Sequence, residues 1–138
     1  MSQRLDDSAN TPGTPAGFEA AREAAKRLRR FGGERLVRDM SAIFVEDVPV
    51  RLAVARDGVG SGDPRTVEHA AHSMKSSCGQ FGAAAMQRLC ADAERLARQG
   101  ELDDLPPVLD ALEEEFSRFR AWLERAADDA PGGGPPGP

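Results

Sequence analysis

Residues 67–83 combine two histidines, a lysine and several small side chains in a pattern that is suited to chemistry. On a helical projection of roughly 100° per residue, the apolar residues of this segment fall within roughly 40° of one line. These residues are Val67, Ala70, Ala71, Met74, Cys78 and Phe81. His72 lies about 140° from that line, and Lys75 follows it by one turn. The pattern therefore predicts an amphipathic helix that exposes an imidazole beside a cation.

An exposed imidazole of this kind suits phosphoryl chemistry. Imidazole is a neutral nucleophile near pH 7, and its Nε2 can attack phosphorus and hold the phosphoryl group covalently. Phosphoryl transfer also needs in-line positioning and positive charge near the equatorial oxygens, which Lys75 is placed to supply. Ser73, Ser76 and Gly79 leave the surface around His72 nearly bare, so that a partner can approach closely.

A carboxylate from another helix would complete the site by holding the proton of His72 on Nδ1 and leaving Nε2 free. With Met86 at the centre of the apolar line of segment 83–99, Glu94 falls about 80° round, and Arg98 lies one turn further. Two interpretations of Glu94 stay open. It either orients His72, or only pairs with Arg98 at i,i+4 for a few tenths of a kcal/mol.

The apolar periodicity predicts an all-α antiparallel four-helix bundle with an additional N-terminal helix. The predicted segments are 18–31, 34–57, 64–81, 83–99 and 105–126. Glycines at 32–33, 82 and 100 separate them, and residues 58–62, which include three glycines, are predicted to form a loop. The inward residues expected in the first two segments are Ala21, Ala24, Ala25, Leu28, Phe31, Leu36, Val37, Met40, Ile43, Phe44, Val48, Leu52 and Ala55. Asp63 is a predicted N-cap before Pro64, and Pro49 predicts either two shorter helices or one kinked helix.

Composition limits the classes of function. The chain has 138 residues, enough for one domain at 18–127 between an arm at 1–17 and a Pro/Gly tail at 128–138, both expected to be disordered. The net charge of −5 argues against nucleic acid as a partner. Cys78 and Cys90 are predicted to be buried, reduced thiols. The absence of a membrane-length apolar run and of a signal-peptide core predicts a cytoplasmic protein without membrane association.

The run His72-Ser73-Met74-Lys75-Ser76-Ser77, followed by Gly79, Gly82 and Ala83, resembles the active helix of histidine-containing phosphotransfer (HPt) domains. These are four-helix bundle modules of two-component phosphorelays, and the similarity in apolar spacing extends over about residues 24–127. The resemblance implies phosphorylation of His72, contact of Glu94 with the imidazole, and a basic residue at Arg98. It implies response-regulator receiver domains and a (hybrid) histidine kinase as partners of a monomeric phosphoryl carrier that is not a turnover enzyme.

Two other interpretations remain beside this one. The family usually has glycine at the position of Ser76, and this departure favours an adaptor that binds receivers without being phosphorylated. The third is a structural bundle with an incidental histidine. The predicted partner-docking residues are Glu68, His69, Ser76, Gly79 and Gln80. No metal site or cofactor is predicted, because His69 and His72 lack a further ligand to complete a set. The chain also lacks a Gly-rich ATP-binding motif.

Overall fold

The computed structural model describes residues 18–129, with side chains through residue 126. Its helices are α1 (Glu19–Ser61), α2 (Pro64–Gln80), α3 (Ala84–Arg98) and α4 (Leu105–Asp129), and a short 3₁₀ turn, Leu102–Asp104, precedes α4. The predicted arm at 1–17 and most of the predicted tail lie outside the described residues, whereas residues 128 and 129 end α4.

The helices form a closed bundle. The α2 helix packs between α1 and α3, and α4 packs against both α3 and α1. Short connections make consecutive helices antiparallel. The predicted all-α bundle is confirmed, and residues 18–129 contain no strand.

The long helix α1 has one break, at Gly32 and Gly33. Gly33 has φ +72° and ψ −169°, which no helix accommodates. Residues 19–31 therefore form the predicted additional N-terminal helix, and residues 34–61 form the first helix of the bundle. Pro49 lies inside that helix, which continues through it. Of the two alternatives at Pro49, two shorter helices are excluded.

The prediction of a loop at residues 58–62 is wrong, because α1 continues to Ser61 and ends only at Gly62, where φ is +72°. Gly58 is buried against α2, and a Cβ there would stand 2.8 Å from Cγ2 of Val67. Glycine at this position allows the close approach of two helices. In a sequence, a glycine needed for close helix packing cannot be distinguished from a glycine that ends a helix.

Two residues predicted to face inward are exposed, Phe31 at 88% and Ile43 at 65%. The buried line of α1 follows Phe44, Val48, Leu52 and Ala55, and Ile43 is displaced from it by about 100°. Phe31 is the last residue before the break. The other residues predicted to face inward in these two segments are buried or half-buried.

The α2–α3 interface is made largely of small side chains. Every predicted inward residue of α2 is buried, and Cys90, Ala93 and Ala97 are buried on α3. Cys78 and Cys90 are free, buried thiols, as predicted. A hydrogen bond to Cys90, together with burial, raises the pKa of the Cys78 thiol. Side chains this small let the two helix backbones approach closely, which brings residues of α3 within reach of α2.

The N-terminal helix is fixed at the turn between α2 and α3. Gly82 has φ +66°, as predicted for the end of α2. A Cβ on Gly82 would collide with the Ala20 carbonyl group and stand 2.7 Å from the Ala21 nitrogen. Phe18 packs edge-to-face on Phe119 at 5.3 Å between ring centroids. The backbone of this turn thus supports the helix that precedes the bundle.

We expect Gly82→Ala to lower the free energy of unfolding by about 2 kcal/mol or more, because it combines a left-handed backbone with a collision against fixed backbone. Gly100→Ala is the matched control, since Gly100 has φ +76° and open space around its Cα. The control should lose only about 1 kcal/mol, the cost of the backbone conformation. Equal losses in urea titrations of the two variants would show that the contact with Ala20 is not important.

Candidate functional site

The exposed residues of α2 form one stripe along the helix: Arg65, His69, His72, Ser76 and Gln80. Their spacing of three and four residues keeps them on a single face. The predicted N-cap sets the start of this helix, because the Asp63 carboxylate accepts a hydrogen bond from the Thr66 amide at 3.3 Å. The structure therefore brings predicted site residues to solvent on the side of α2 opposite its core.

Glu94 is the only charged residue that is buried among residues 18–126, with 6% of its surface exposed. Its Oε2 lies 2.9 Å from Nδ1 of His72 and 3.1 Å from Nη2 of Arg98. Its Oε1 accepts a hydrogen bond from the Lys75 ammonium at 2.6 Å. Glu94 thus contacts the imidazole and also pairs with Arg98, so the two open interpretations describe one arrangement.

The charge of Glu94 determines the tautomer of His72. The Lys75 hydrogen bond holds the pKa of Glu94 below its usual value; burial acts in the opposite direction and the His72 contact again lowers it. The carboxylate is therefore ionised near pH 7 and can only accept hydrogen bonds. Nδ1 of His72 must then donate, and in the neutral imidazole this leaves the lone pair on Nε2. The side chain of His72 is 62% exposed, so a partner can reach that atom.

Arg98 bridges two carboxylates. Besides its contact with Glu94, its Nε donates to Oε2 of Glu68 at 3.1 Å. Glu68, which was predicted to dock a partner, takes part in this ion pair between α2 and α3 and also lines the cleft beside His72. Lys75, predicted to serve a phosphoryl group, rests on the buried carboxylate with one third of its side chain exposed.

An open cleft beside the imidazole is lined by Arg65, Glu68, His69, His72, Ser73 and Glu94. A second shallow groove continues from His69 and Ser73 to Arg51 and Val54 of α1.

The sequence analysis did not predict Arg65 or these α1 residues as part of the site. The signal available was the spacing of Ile43, Val50 and Val54, which share a helix face distinct from the buried line of Phe44. All three are exposed, at 65%, 62% and 42%.

The remaining predicted residues are placed as follows. Gly79 is half-buried beneath the amide of Gln87, whose Nε2 would stand 2.8 Å from a Cβ on Gly79. Gln80 is exposed, at the C-terminal end of the stripe.

Residues 18–129 hold no group of three or more His, Cys, Asp or Glu side chains arranged for a metal ion. No helix within the described part of the chain is both long and apolar enough to span a bilayer.

Comparisons with known proteins give two findings. The family model described as Hpt domain matches residues 39–122. The structure resembles that of histidine-containing phosphotransfer protein B (HptB) from Pseudomonas aeruginosa PAO1, with a TM-score of 0.71 and 27% sequence identity. The match covers 75% of this chain and 89% of the HptB chain. A search of curated proteins finds no match.

The buried carboxylate predicts a characteristic pH dependence of stability. Because the folded-state pKa of Glu94 is lowered, its contribution is complete above the ordinary value of 4.5 and is lost as pH falls through the folded value. We expect Glu94→Gln to cost about 1–3 kcal/mol at pH 7, since it leaves Lys75 and Arg98 less well compensated. The variant should also lose less stability than the wild type between pH 6 and pH 3.

Unfolding free energies from urea titrations across this pH range provide the measurement. Glu114→Gln, at an exposed position of α4, is the control and should keep the wild-type profile. If Glu94→Gln kept the full wild-type loss below pH 4.5, another group would have to account for it.

Proposed function

Because the chain belongs to the Hpt domain family of histidine phosphotransfer proteins, we propose that His72 carries the phosphoryl group and exchanges it with the aspartate of a response-regulator receiver domain. A (hybrid) histidine kinase is the alternative donor. The observation that supports His72 is its orientation, with Nδ1 held by Glu94 and Nε2 facing solvent. His69, the other histidine on the stripe, has no carboxylate partner among the described residues.

The proposed step is an in-line displacement at phosphorus. Nε2 of His72 donates its lone pair to the phosphorus of the receiver's aspartyl phosphate, a P–N bond forms, and the P–O bond to the aspartate breaks to release a carboxylate. The imidazole keeps its Nδ1 proton and becomes positively charged. The Glu94 carboxylate opposite Nδ1 stabilises that charge as it develops. Both the P–N bond and the acyl phosphate are labile, so transfer proceeds in either direction.

The positive charge near the phosphoryl oxygens is assigned to Lys75 and Arg98. Each pairs with Glu94 in the resting protein, at 2.6 Å and 3.1 Å, and each is partly exposed, at 33% of the Lys75 side chain and 58% of the Arg98 side chain. Positioned cations stabilise the transferred group without doing covalent chemistry. Any metal ion needed for the aspartate chemistry is assigned to the receiver.

Partner docking is assigned to the exposed stripe of α2 and to the exposed Val54 of α1, which lines the groove next to His69 and Ser73. Small residues next to His72 allow a receiver to bring its aspartate close to Nε2. Ser76 adds a hydroxymethyl group on this stripe, one turn beyond His72, where the family usually has glycine. That position also supports the alternative function, an adaptor that binds receivers without accepting phosphate.

The site of phosphorylation is testable with a histidine pair on one helix. We expect full-length protein mixed with a phosphorylated receiver to gain acid-labile, base-stable phosphate and His72→Ala to gain none. His69→Ala, which changes only the docking stripe, should reach the same final level of label as the wild type, whatever its rate. Label on His72→Ala would exclude the proposed site. Binding of the receiver by both wild type and His72→Ala, without transfer to either, would favour the adaptor.

The docking assignment predicts a separation of partner transfer from intrinsic reactivity. Ser76→Arg should slow transfer from a receiver by about tenfold or more, which corresponds to a loss of about 1.4 kcal/mol of interaction. Ala91→Arg, at an exposed position of α3, should transfer normally. Both variants should react like the wild type with phosphoramidate, a small phosphodonor that needs no docking surface. Normal receiver transfer by Ser76→Arg would place the docking surface elsewhere.

A further inference from the structure

The guanidinium of Arg98 is shared between a buried and a partly exposed carboxylate. Its Nη2 lies 3.1 Å from Oε2 of Glu94 and its Nε lies 3.1 Å from Oε2 of Glu68. The Arg98 side chain is 58% exposed, and Glu68 lines the same cleft as His72. Arg98 is therefore a largely exposed cation next to the site, paired with Glu94 and with Glu68.

The charges of this group balance in the resting protein. Lys75 and Arg98 carry two positive charges, and Glu68 and Glu94 carry two negative charges. A phosphoryl group on Nε2 would add a charge of about −2 at neutral pH. Glu68 lies one turn before His72 on α2, and the two side chains line the same cleft. The imidazolium and Arg65, which lines the same cleft, offset this charge, and the phosphoryl oxygens become new acceptors that compete with Glu68 for Arg98.

The two carboxylates differ in how readily they release a cation. Glu94 is 8% exposed at its side chain and also holds His72 and Lys75, so removing its partners leaves a buried charge uncompensated. Glu68 is 31% exposed at its side chain, and water can replace Arg98 there at little cost. Arg98 can therefore turn toward a phosphoryl group by leaving Glu68.

We propose that Glu68 lowers the stability of the phosphohistidine by competing with the phosphoryl group for Arg98. This inference rests on the proposed function, since it concerns the phosphorylated form of His72. It gives Glu68 a role as a positioning residue that raises the phosphoryl-transfer potential of His72. Phosphate on His72 is then passed more readily to a receiver than it would be if Arg98 were free.

An equilibrium competition tests this role without knowledge of the natural partner. Full-length wild type is phosphorylated with phosphoramidate, desalted, and mixed with an equal amount of Glu68→Gln carrying a mass tag. A trace of one receiver domain with Mg²⁺ shuttles phosphate between the two. At equilibrium, the ratio of phosphorylated fractions depends only on the relative stability of the two phosphohistidines, and intact-mass spectrometry measures it.

We expect Glu68→Gln to be favoured by roughly two- to fivefold, the fold-change that corresponds to the strength of one exposed ion pair. Asp92→Asn is the matched control, because Asp92 pairs with Arg95 on α3 at 3.4 Å, away from the His72 cleft. In competition with the wild type, Asp92→Asn should be phosphorylated to the same fraction, which is a ratio of one. When both competing proteins also carry Arg98→Gln, the ratio for Glu68→Gln should equal one, because the cation for which Glu68 and the phosphoryl group compete is absent.

A ratio of one for Glu68→Gln, with the wild type phosphorylated, would overturn the role of Glu68 and leave the proposed function intact. The full effect persisting in the Arg98→Gln background would overturn the competition for Arg98. If the wild type takes up phosphate neither from phosphoramidate nor from a receiver, the proposed function fails and this inference fails with it.

Discussion

A single buried carboxylate constrains the whole site. Glu94 lies at the α2–α3 interface with almost no access to water, and an isolated charge there would be strongly destabilising. It is tolerated because Lys75, Arg98 and the Nδ1 proton of His72 supply its hydrogen bonds. The same requirement fixes the imidazole tautomer and its orientation. The free lone pair on Nε2 of the neutral imidazole is thus a consequence of satisfying the hydrogen bonds of Glu94.

The scaffold matters because it lets these groups meet. Glu94 reaches His72 only if α2 and α3 lie close together, and the small buried residues Ala71, Cys90 and Ala93 make that approach possible. The turn between the two helices depends on Gly82, over which the N-terminal helix crosses with no room for a side chain. Packing far from the imidazole therefore supports the position of the groups around it.

Periodicity within one helix was sufficient for much of this structure. The buried face of α2, the Asp63 cap and the left-handed Gly82 follow from local patterns, and the structure confirms them. The predictions that were wrong concern how the helices pack on one another. Gly58 looks like a helix stop but permits a close contact with Val67. Ile43 is apolar but lies beside the buried line rather than on it. In the site, a helical projection put Glu94 at the right edge of α3, whereas the bridge from Arg98 to Glu68 joins two helices and has no signature within either.

The distribution of burial among the acidic groups has a chemical consequence. A site that must both accept and release a phosphoryl group cannot bind it too strongly, since a deep energy minimum on His72 would stop transfer. A fully exposed imidazole without cations would accept poorly, and one surrounded by free cations would release poorly. Here both cations are already partnered, one on the buried Glu94 and one shared with the more exposed Glu68. In the proposed function, an incoming phosphoryl group therefore draws on these cations only at the cost of an existing ion pair, which limits how strongly the phosphorylated state is stabilised.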